Sequence, residues 1–586
     1  MSKITKFCLY IFLFTLSAYA LQARTYTAAT SGLFTAGSTW IGGVAPGTII
    51  NGDTIIINVG TGVTLDTNVI FNGNALFKTV SASSINSYSN HTALIFNSGT
   101  IDASGLIGVD SIVIGPAVVV KDYGIDVNIL TSYGNTFVNA GATAKRALYL
   151  MDGVLDITNG SLIVSLKVNI ENGRIKAPKG LYAITGYDVT YTGHVVTGDE
   201  LNSNMLMRVY MNTPDTVKLS SDFTLADTML VSSGVLDLNG KTVSLIHQNV
   251  LNTDGIIIFN GGSVMSSPLT NITLSANSSI KGNLKFVAGA DTLNNLIINT
   301  TNRPALQLGS NLVVNGILNL AAGFVKSGEH NFIVTHADSI LGGSASSYVI
   351  TDGRGMLSIP VAPNHKVTYP IGTEIYYAPL NVTDTTGTVS NVISARVTDT
   401  VYSDGYLGTR LSDTRPLVNA TWFINSAVAT GINYNLDMMW SNGMEVNSFN
   451  RAHAYISHYS AGGWDKYPYS IASSLGSMYT ISRKNVTSFS PFAVADTAAD
   501  MTTTNIDNIY YSPTSISIYP NPVDLIMSIK CDEQIKDVLI FDIGGKLIKT
   551  CTAKRNSVFV GDLQPGSYIA EFVIGNSIAG SRFIKN

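Results

Sequence analysis

Apolar and polar residues alternate in short runs over most of this chain. Two early examples are Asp53-Thr54-Ile55-Ile56-Ile57-Asn58-Val59 and Gly62-Val63-Thr64-Leu65-Asp66. A period of two puts successive side chains on opposite faces, so these runs predict half-buried strands. Helical periodicity is missing between about residues 24 and 343. The predicted class is therefore all-β.

The runs also repeat. Leu148-Tyr149-Leu150-Met151-Asp152-Gly153-Val154-Leu155-Asp156 is echoed by Met229-Leu230-Val231-Ser232-Ser233-Gly234-Val235-Leu236-Asp237. A third, looser copy is Leu318-Asn319-Leu320-Ala321-Ala322-Gly323-Phe324-Val325. Within this region Gly153, Gly173 and Gly193 are spaced by twenty, and Gly234 and Gly255 by twenty-one. A β-period near twenty is the mark of a solenoid, in which a single coil cannot bury its apolar face and stacking must do so. Residues 24–343 are read as a right-handed parallel β-helix of about 12–15 coils. At about 4.8 Å per strand layer its length is about 60–75 Å. Consecutive β-sandwiches are the rival reading, because stretches such as Ser81 to His91 break the period. Leu150, Val231 and Leu320 are expected at equivalent core positions. Asn159-Gly160 and Asn239-Gly240 are expected at turns, with Asn side chains stacking in ladders. Ser38-Thr39-Trp40-Ile41-Gly42-Gly43-Val44-Ala45-Pro46-Gly47 reads as a cap on the open end, with Trp40 its anchor.

Character changes at about residue 344. Strands lengthen, and aromatic residues gather at Tyr369, Tyr376, Tyr377, Trp422, Trp440, Tyr455, Tyr459, Trp464, Tyr467 and Tyr469. Residues 344–498 are read as a β-sandwich module, 499–514 as a linker, and 515–586 as a final small Ig-like β-sandwich. Short strands with regular turn signals, including Gly544-Gly545 and Leu563-Gln564-Pro565-Gly566, support the last assignment.

Composition narrows the function. Charged residues are only 13 % of the chain and the net charge is −4, without the basic surplus of a nucleic-acid binder. The start reads as a secretory signal, residues 1–23: Lys3 and Lys6, then an apolar run from Phe7 to Leu16, then Ala18-Tyr19-Ala20. That run is too short to span a bilayer, and no later stretch is longer, so no transmembrane span is expected in the mature chain. After the leader only Cys531 and Cys551 remain, as a disulfide or as two thiols.

Candidate chemistry is sparse. Asp156 and Asp237 occupy equivalent repeat positions. Four coils would separate them by about 20 Å, beyond the roughly 5–9.5 Å of a glycosidase pair. His453 and His458 should face opposite ways on one strand. No catalytic, cofactor-binding or metal-ligating set is predicted. Trp464, Tyr467 and Tyr469 offer flat rings with polar edges, suited to contact with carbohydrate, though in a β-sandwich most such residues are core or packed loop. Asp followed by Ser or Thr and a small or apolar residue recurs at Asp53, Asp110, Asp215, Asp227, Asp291, Asp338, Asp384, Asp399 and Asp496.

The tail carries four landmarks in order: Tyr519-Pro520-Asn521-Pro522, then Asp542 with Gly545-Lys546, then Leu563 with Gly566-Ser567-Tyr568, then Phe583-Ile584-Lys585. It resembles the type A C-terminal sorting domain of type IX secretion cargo. That resemblance implies engagement of the outer-membrane type IX translocon and its sorting peptidase, and a secreted or outer-membrane cell-surface location. The body resembles secreted parallel β-helix, adhesin-like proteins. The 344–498 segment resembles the module often placed just before such a tail. The Asp-Ser/Thr pattern resembles the O-glycosylation acceptor of bacteria that use this route, and equally a turn before a strand. The leading expectation is a non-catalytic rod, adhesin-like or structural, with surface polysaccharide or host and matrix glycans as possible partners. The alternative is a polysaccharide-binding or polysaccharide-degrading β-helix.

Overall fold

The structure is a computed structural model. It describes residues 22–501 and 516–586 except 89–90, 122–124, 140, 248, 386, 388, 429, 532–533, 544–545, 554–555 and 575–576. The expected leader, most of the expected linker and Gly545 therefore lie outside or almost outside the described residues. The chain divides into two compact units, Met1–Ala499 and Asp500–Asn586.

In the first unit, strands stack in parallel, each on the strand one coil away. One inward ladder runs Val69, Leu94, Ile112, Leu130, Leu148, Val168, Val189, Val209, Met229, Leu251, Ile272, Leu296, Leu318, Ile340. Its rungs are 18 to 25 residues apart, and all but Ile340 are buried. The body is a β-solenoid, and the rival of consecutive sandwiches is set aside by this pairing. Two residues further along each strand, a second ladder links Leu150, Ile170, Tyr191, Met211, Val231, Thr253, Leu274, Ile298 and Leu320. The three residues expected at equivalent core positions thus share one column.

Glycine marks the corner between faces. Gly153 has φ of 76° and pairs in register with Gly173. A Cβ on Gly173 would lie 2.4 Å from the Gly153 carbonyl oxygen, so successive coils can stack this closely only without side chains there. Beyond the corner, Leu155 pairs with Ile175, and Leu162 with Leu181, giving further inward columns. Outward positions carry amide ladders. Asn72 donates to Asn51 at 3.0 Å, Asn97 to Asn72 at 2.8 Å, and Asn159 to Asn139 at 2.8 Å. Asn239 adopts φ of 48° and donates to the Leu219 carbonyl.

Trp40 closes the first coil. It is 2 % exposed, meets Phe34 edge-on at 5.3 Å and donates its indole N–H to the Phe34 carbonyl at 2.8 Å. Its backbone bridges antiparallel to Ala28, just past the first strand, Thr25–Thr27.

Parallel stacking continues beyond residue 343. Val325–Lys326, Val349–Ile350 and Ile371–Gly372 still pair in parallel, as do Phe332–Val334 and Leu357–Val361. Leu357–Val361 then takes Asn391–Thr398 antiparallel on its other edge. From there the sheet runs through Leu417–Ser426, Pro491–Asp496 and Ala454–Ser460. A second antiparallel sheet holds Lys366–Tyr369, Leu380–Asp384, Tyr434–Ser441, Met478–Val486 and Ser473–Leu475. Trp422, Trp440, Leu436 and Val494 lie in the core of this region. One apolar cluster runs from Ala28 to Val494. Solenoid and sandwich therefore share an interior.

An acid stands among the buried polar groups of that region. Glu200 is fully buried; its carboxylate accepts from Tyr191 Oη and Gly198 N at 2.8 Å and from Ile175 N at 3.3 Å. No cation is among these partners. Burial outweighs the donors and holds the carboxyl above its ordinary value. A raised acid is favoured neutral in the folded state. Its contribution is thus full at acid pH, below about pH 4, and is lost as pH rises through the folded value. We expect Glu200→Gln to melt higher than wild type at pH 8 and to match it near pH 4. Thermal melts of both across that range check this; parallel curves would contradict it.

Candidate functional site

The tail unit is a sandwich of two antiparallel sheets. Ser517–Tyr519, Ile526–Lys530 and Ser557–Phe559 form one; Leu547–Thr552, Ile535–Asp542, Gly566–Ile574 and Ser577–Lys585 form the other. Val523, Met527, Val538, Ile540, Phe572 and Phe583 fill its core. Cys531 and Cys551 are thiols packed against it, not a disulfide.

The four landmarks come together in this unit. Asn521 accepts the Ile584 N–H at 2.8 Å and donates to the Arg582 carbonyl at 3.4 Å. Val523 and Asn586 continue the zip, with Val523 N–H to the Ile584 carbonyl and Asn586 N–H to the Val523 carbonyl. The Tyr519-Pro520-Asn521-Pro522 segment is thereby sewn to Phe583-Ile584-Lys585. Phe583 is fully buried and stacks on Tyr568 at 5.6 Å. Tyr568 pairs in register with Asp542 on its other side and donates its hydroxyl to the Gln564 carbonyl at 2.9 Å. Asp542 accepts the Lys546 N–H at 2.9 Å, while Gly545 lies outside the described residues. Leu563 is buried, and Gly566 pairs with Lys585. Residues distant in sequence thus form one end of one folded unit.

Residues 517–586 match the family described as the secretion system C-terminal sorting domain. The tail is a type IX secretion sorting domain. The chain is accordingly cargo of that route, which implies export and a cell-surface or secreted location. The match covers the sorting domain alone. No curated protein and no solved structure matches the chain. Among the described residues no helix is long and apolar enough to cross a membrane.

The body has to be judged from its own residues. Asp156 and Asp237 lie four rungs apart, counted Leu148, Val168, Val189, Val209, Met229. At about 4.8 Å per rung that is about 19 Å. Asp156 pairs with Lys176 at 2.8 Å on the next coil and accepts from Thr158, while Asp237 accepts the Asn239 N–H at 2.9 Å. Burial pushes the Asp156 carboxyl up, but these bonds outweigh it and hold it low. Both are turn acceptors. The Asp-Ser/Thr pattern has no single place in the fold: Asp53, Asp110, Asp227 and Asp291 immediately precede strands, Asp215 lies inside one, Asp384 and Asp496 end strands, Asp399 follows one, and Asp338 lies in a 3-10 turn.

His453 and His458 do not share a strand as expected: His453 ends the 3-10 turn Arg451–His453, and His458 lies on the strand Ala454–Ser460 that follows. His453 is exposed and sits edge-on to Tyr469 at 5.1 Å. His458 is buried, stacks on Phe492 at 4.2 Å and lies 2.7 Å from Ser490 Oγ. Burial first, and the Arg483 charge second, push it down to about 4. Ser490 also donates to the Tyr459 carbonyl, so its hydroxyl proton is already committed to the backbone.

The three aromatic residues considered for carbohydrate are not equivalent. Trp464 is 3 % exposed and donates its indole N–H to the Tyr402 carbonyl at 2.8 Å. Tyr467 lies under the Arg483 guanidinium at 4.5 Å. Tyr469 is exposed. They do not make one open platform.

A cavity that the sequence did not announce lies on the solenoid before the sandwich. It has a volume of about 350 Å³ and is lined by Asn283, Gln307, Lys326, Glu329, His330 and Asp352, among others. Asn283, Gln307 and Lys326 stack in register on three consecutive coils. Lys326 reaches Asp352 at 3.5 Å and also pairs with Glu374. The Glu374 hydrogen bond first, against a smaller effect of burial, holds the Lys326 ammonium above its ordinary value. Among the described residues no group of three or more His, Cys, Asp or Glu is placed to hold a metal ion.

Proposed function

We propose that this protein is a non-catalytic β-solenoid, adhesin-like or structural, displayed at the cell surface or released after type IX export. Its mechanism is presentation: a stiff stack of coils holds a repetitive polar surface outward, and weak contacts repeated along it sum by multivalency. The observation that carries this reading is the state of the charged side chains on the solenoid. Cross-coil pairs recur as Lys78–Asp102, Lys145–Asp126, Lys176–Asp156 and Arg208–Asp227. A general base needs a proton affinity poised near neutrality, whereas Lys326 is pushed further toward the ammonium.

In the tail, Tyr519, Pro520, Asn521, Pro522, Asp542, Gly545, Lys546, Leu563, Gly566, Tyr568, Phe583, Ile584 and Lys585 act as one folded signal. That signal is read by the outer-membrane translocon and its sorting peptidase. The leader expected at residues 1–23 supplies inner-membrane passage. The test of the non-catalytic reading is incubation of purified chain 24–586 with a polysaccharide panel. We expect no reducing ends and no unsaturated products. Release of either, abolished by Asp352→Asn, would overturn it.

A further inference from the structure

We propose that the Asn283–Gln307–Lys326 groove binds an uncharged extended glycan lying along the direction of coil stacking. The inference rests on the non-catalytic reading above and supplies its ligand class.

Direction comes from register. The three side chains stand on successive coils of one parallel sheet, about 4.8 Å apart. A ligand that follows them meets a polar group at each step, as a polymer with repeated hydroxyls would. The cavity volume of about 350 Å³ falls in the range of small-ligand sites. Its wall is kept low by glycine. A Cβ on Gly353 would lie 2.2 Å from the Gly328 carbonyl oxygen, so no side chain can stand there.

Hydrogen-bonding capacity in the groove is unspent. Among the described residues, the Asn283 and Gln307 side-chain amides have no protein partner; Asn283 is exposed and Gln307 half-buried, and each offers two donors and an acceptor. Asp352 Oδ1 is buried without a partner, although Oδ2 faces Lys326. Oδ1 is closed to solvent, so Oδ2 is the oxygen to which a ligand hydroxyl would donate. Hydroxyls both donate and accept, so they match amides and carboxylate together.

Charge decides between neutral and anionic glycans. Lys326 is shared by Asp352 and Glu374, and Arg354 faces Glu329 at 3.7 Å. Arg303 donates to the Glu374 carbonyl, so Asp352, Glu374 and Glu329 stand against Lys326, Arg354 and Arg303, and no net positive charge draws a uronate, sulfate or phosphate. An anionic polymer would gain no net attraction here to offset the loss of its hydration.

The test is isothermal titration of chain 24–586 with neutral oligosaccharides of glucose, mannose, galactose and N-acetylglucosamine, in increasing length, and with a uronate oligomer of matched length. We expect at least one neutral series to bind, tighter with length and then level, and the uronate not to bind. Asn283→Ala and Gln307→Leu should each weaken binding about tenfold. Neither should shift the melting midpoint, because neither side chain bonds the protein. Failure of every neutral series, preference for the uronate, or undiminished binding by both variants would overturn the proposal and leave the non-catalytic reading standing. Binding lost in the variants but accompanied by product release would uphold the groove and overturn the non-catalytic reading instead.

Discussion

Replacing Val231 by Asp will destabilise the coils around it by more than about 3 kcal/mol, because a carboxylate would enter the core with nothing to pair it. Val231 is fully buried, with Met211 on the coil before and Thr253 on the coil after. A solenoid's stability is a sum of coil and neighbour-interface contributions, so the damage should be centred there. The expected readout is an earlier melting transition together with new protease cleavage near residues 211–253. Val231→Ala should cost about 2 kcal/mol by leaving a small void. Ser232→Asp, one residue along and exposed, should stay within about 0.5 kcal/mol of wild type. An unchanged melt for Val231→Asp would mean that the column assigned to the interior faces water.

Deleting residues 515–586 should abolish arrival at the cell surface and in the medium while leaving the body's melting as it was. The body has a core that closes within residues 28–494, and the tail has another drawn from residues 523–583. Removing only residues 583–586 should have the same effect on export. Phe583 is a fully buried ring, whose loss costs about 3–5 kcal/mol, and the same cut takes away the N–H that Asn521 accepts. A small domain holds about 5–15 kcal/mol in all, so most of the tail's stability would go. Fractionation with protease shaving of intact cells gives the answer. Truncated chain on the surface would show that export does not read this fold.

The solenoid was legible because its repeats copy both spacing and residue type. Gly-Val-Leu-Asp at 153–156 and 234–237 marks the same corner twice, and Leu150, Val231 and Leu320 follow from it in register. Its extent was less legible. Aromatic residues begin to gather soon after 343, but Val349–Ile350 and Ile371–Gly372 still pair in parallel, since a strand's pairing sense leaves no trace in its own alternation. The tail's landmarks were read as motifs, yet the bond from Asn521 to Ile584 shows what motif order alone does not, that first and last landmarks touch. Trp464 could be read as loop platform or as packed core, because its burial depends on Tyr402 and Tyr459, far away or facing it across a turn. The groove was invisible for a related reason. Asn283, Gln307, Lys326 and Asp352 share no motif and meet only because whole coils intervene between them. Glu200 gave no signal at all: nothing around it in sequence distinguishes an interior acid from a surface one.

Because every rung of the inward ladder meets its neighbours through the same few contacts, the solenoid can be counted in whole coils. Residues 148–167 span one step, with Ala147 in register with Lys167 and Leu148 with Val168. Excising them would set Val168 where Leu148 had been and leave the Trp40 closure and the sandwich sheet begun by Leu357–Val361 untouched. Reach would change by about 4.8 Å, one strand layer, and nothing else would have to be redesigned. Length in this protein is therefore an integer variable, open to adjustment by duplication or loss of a single coil while both ends keep their structure.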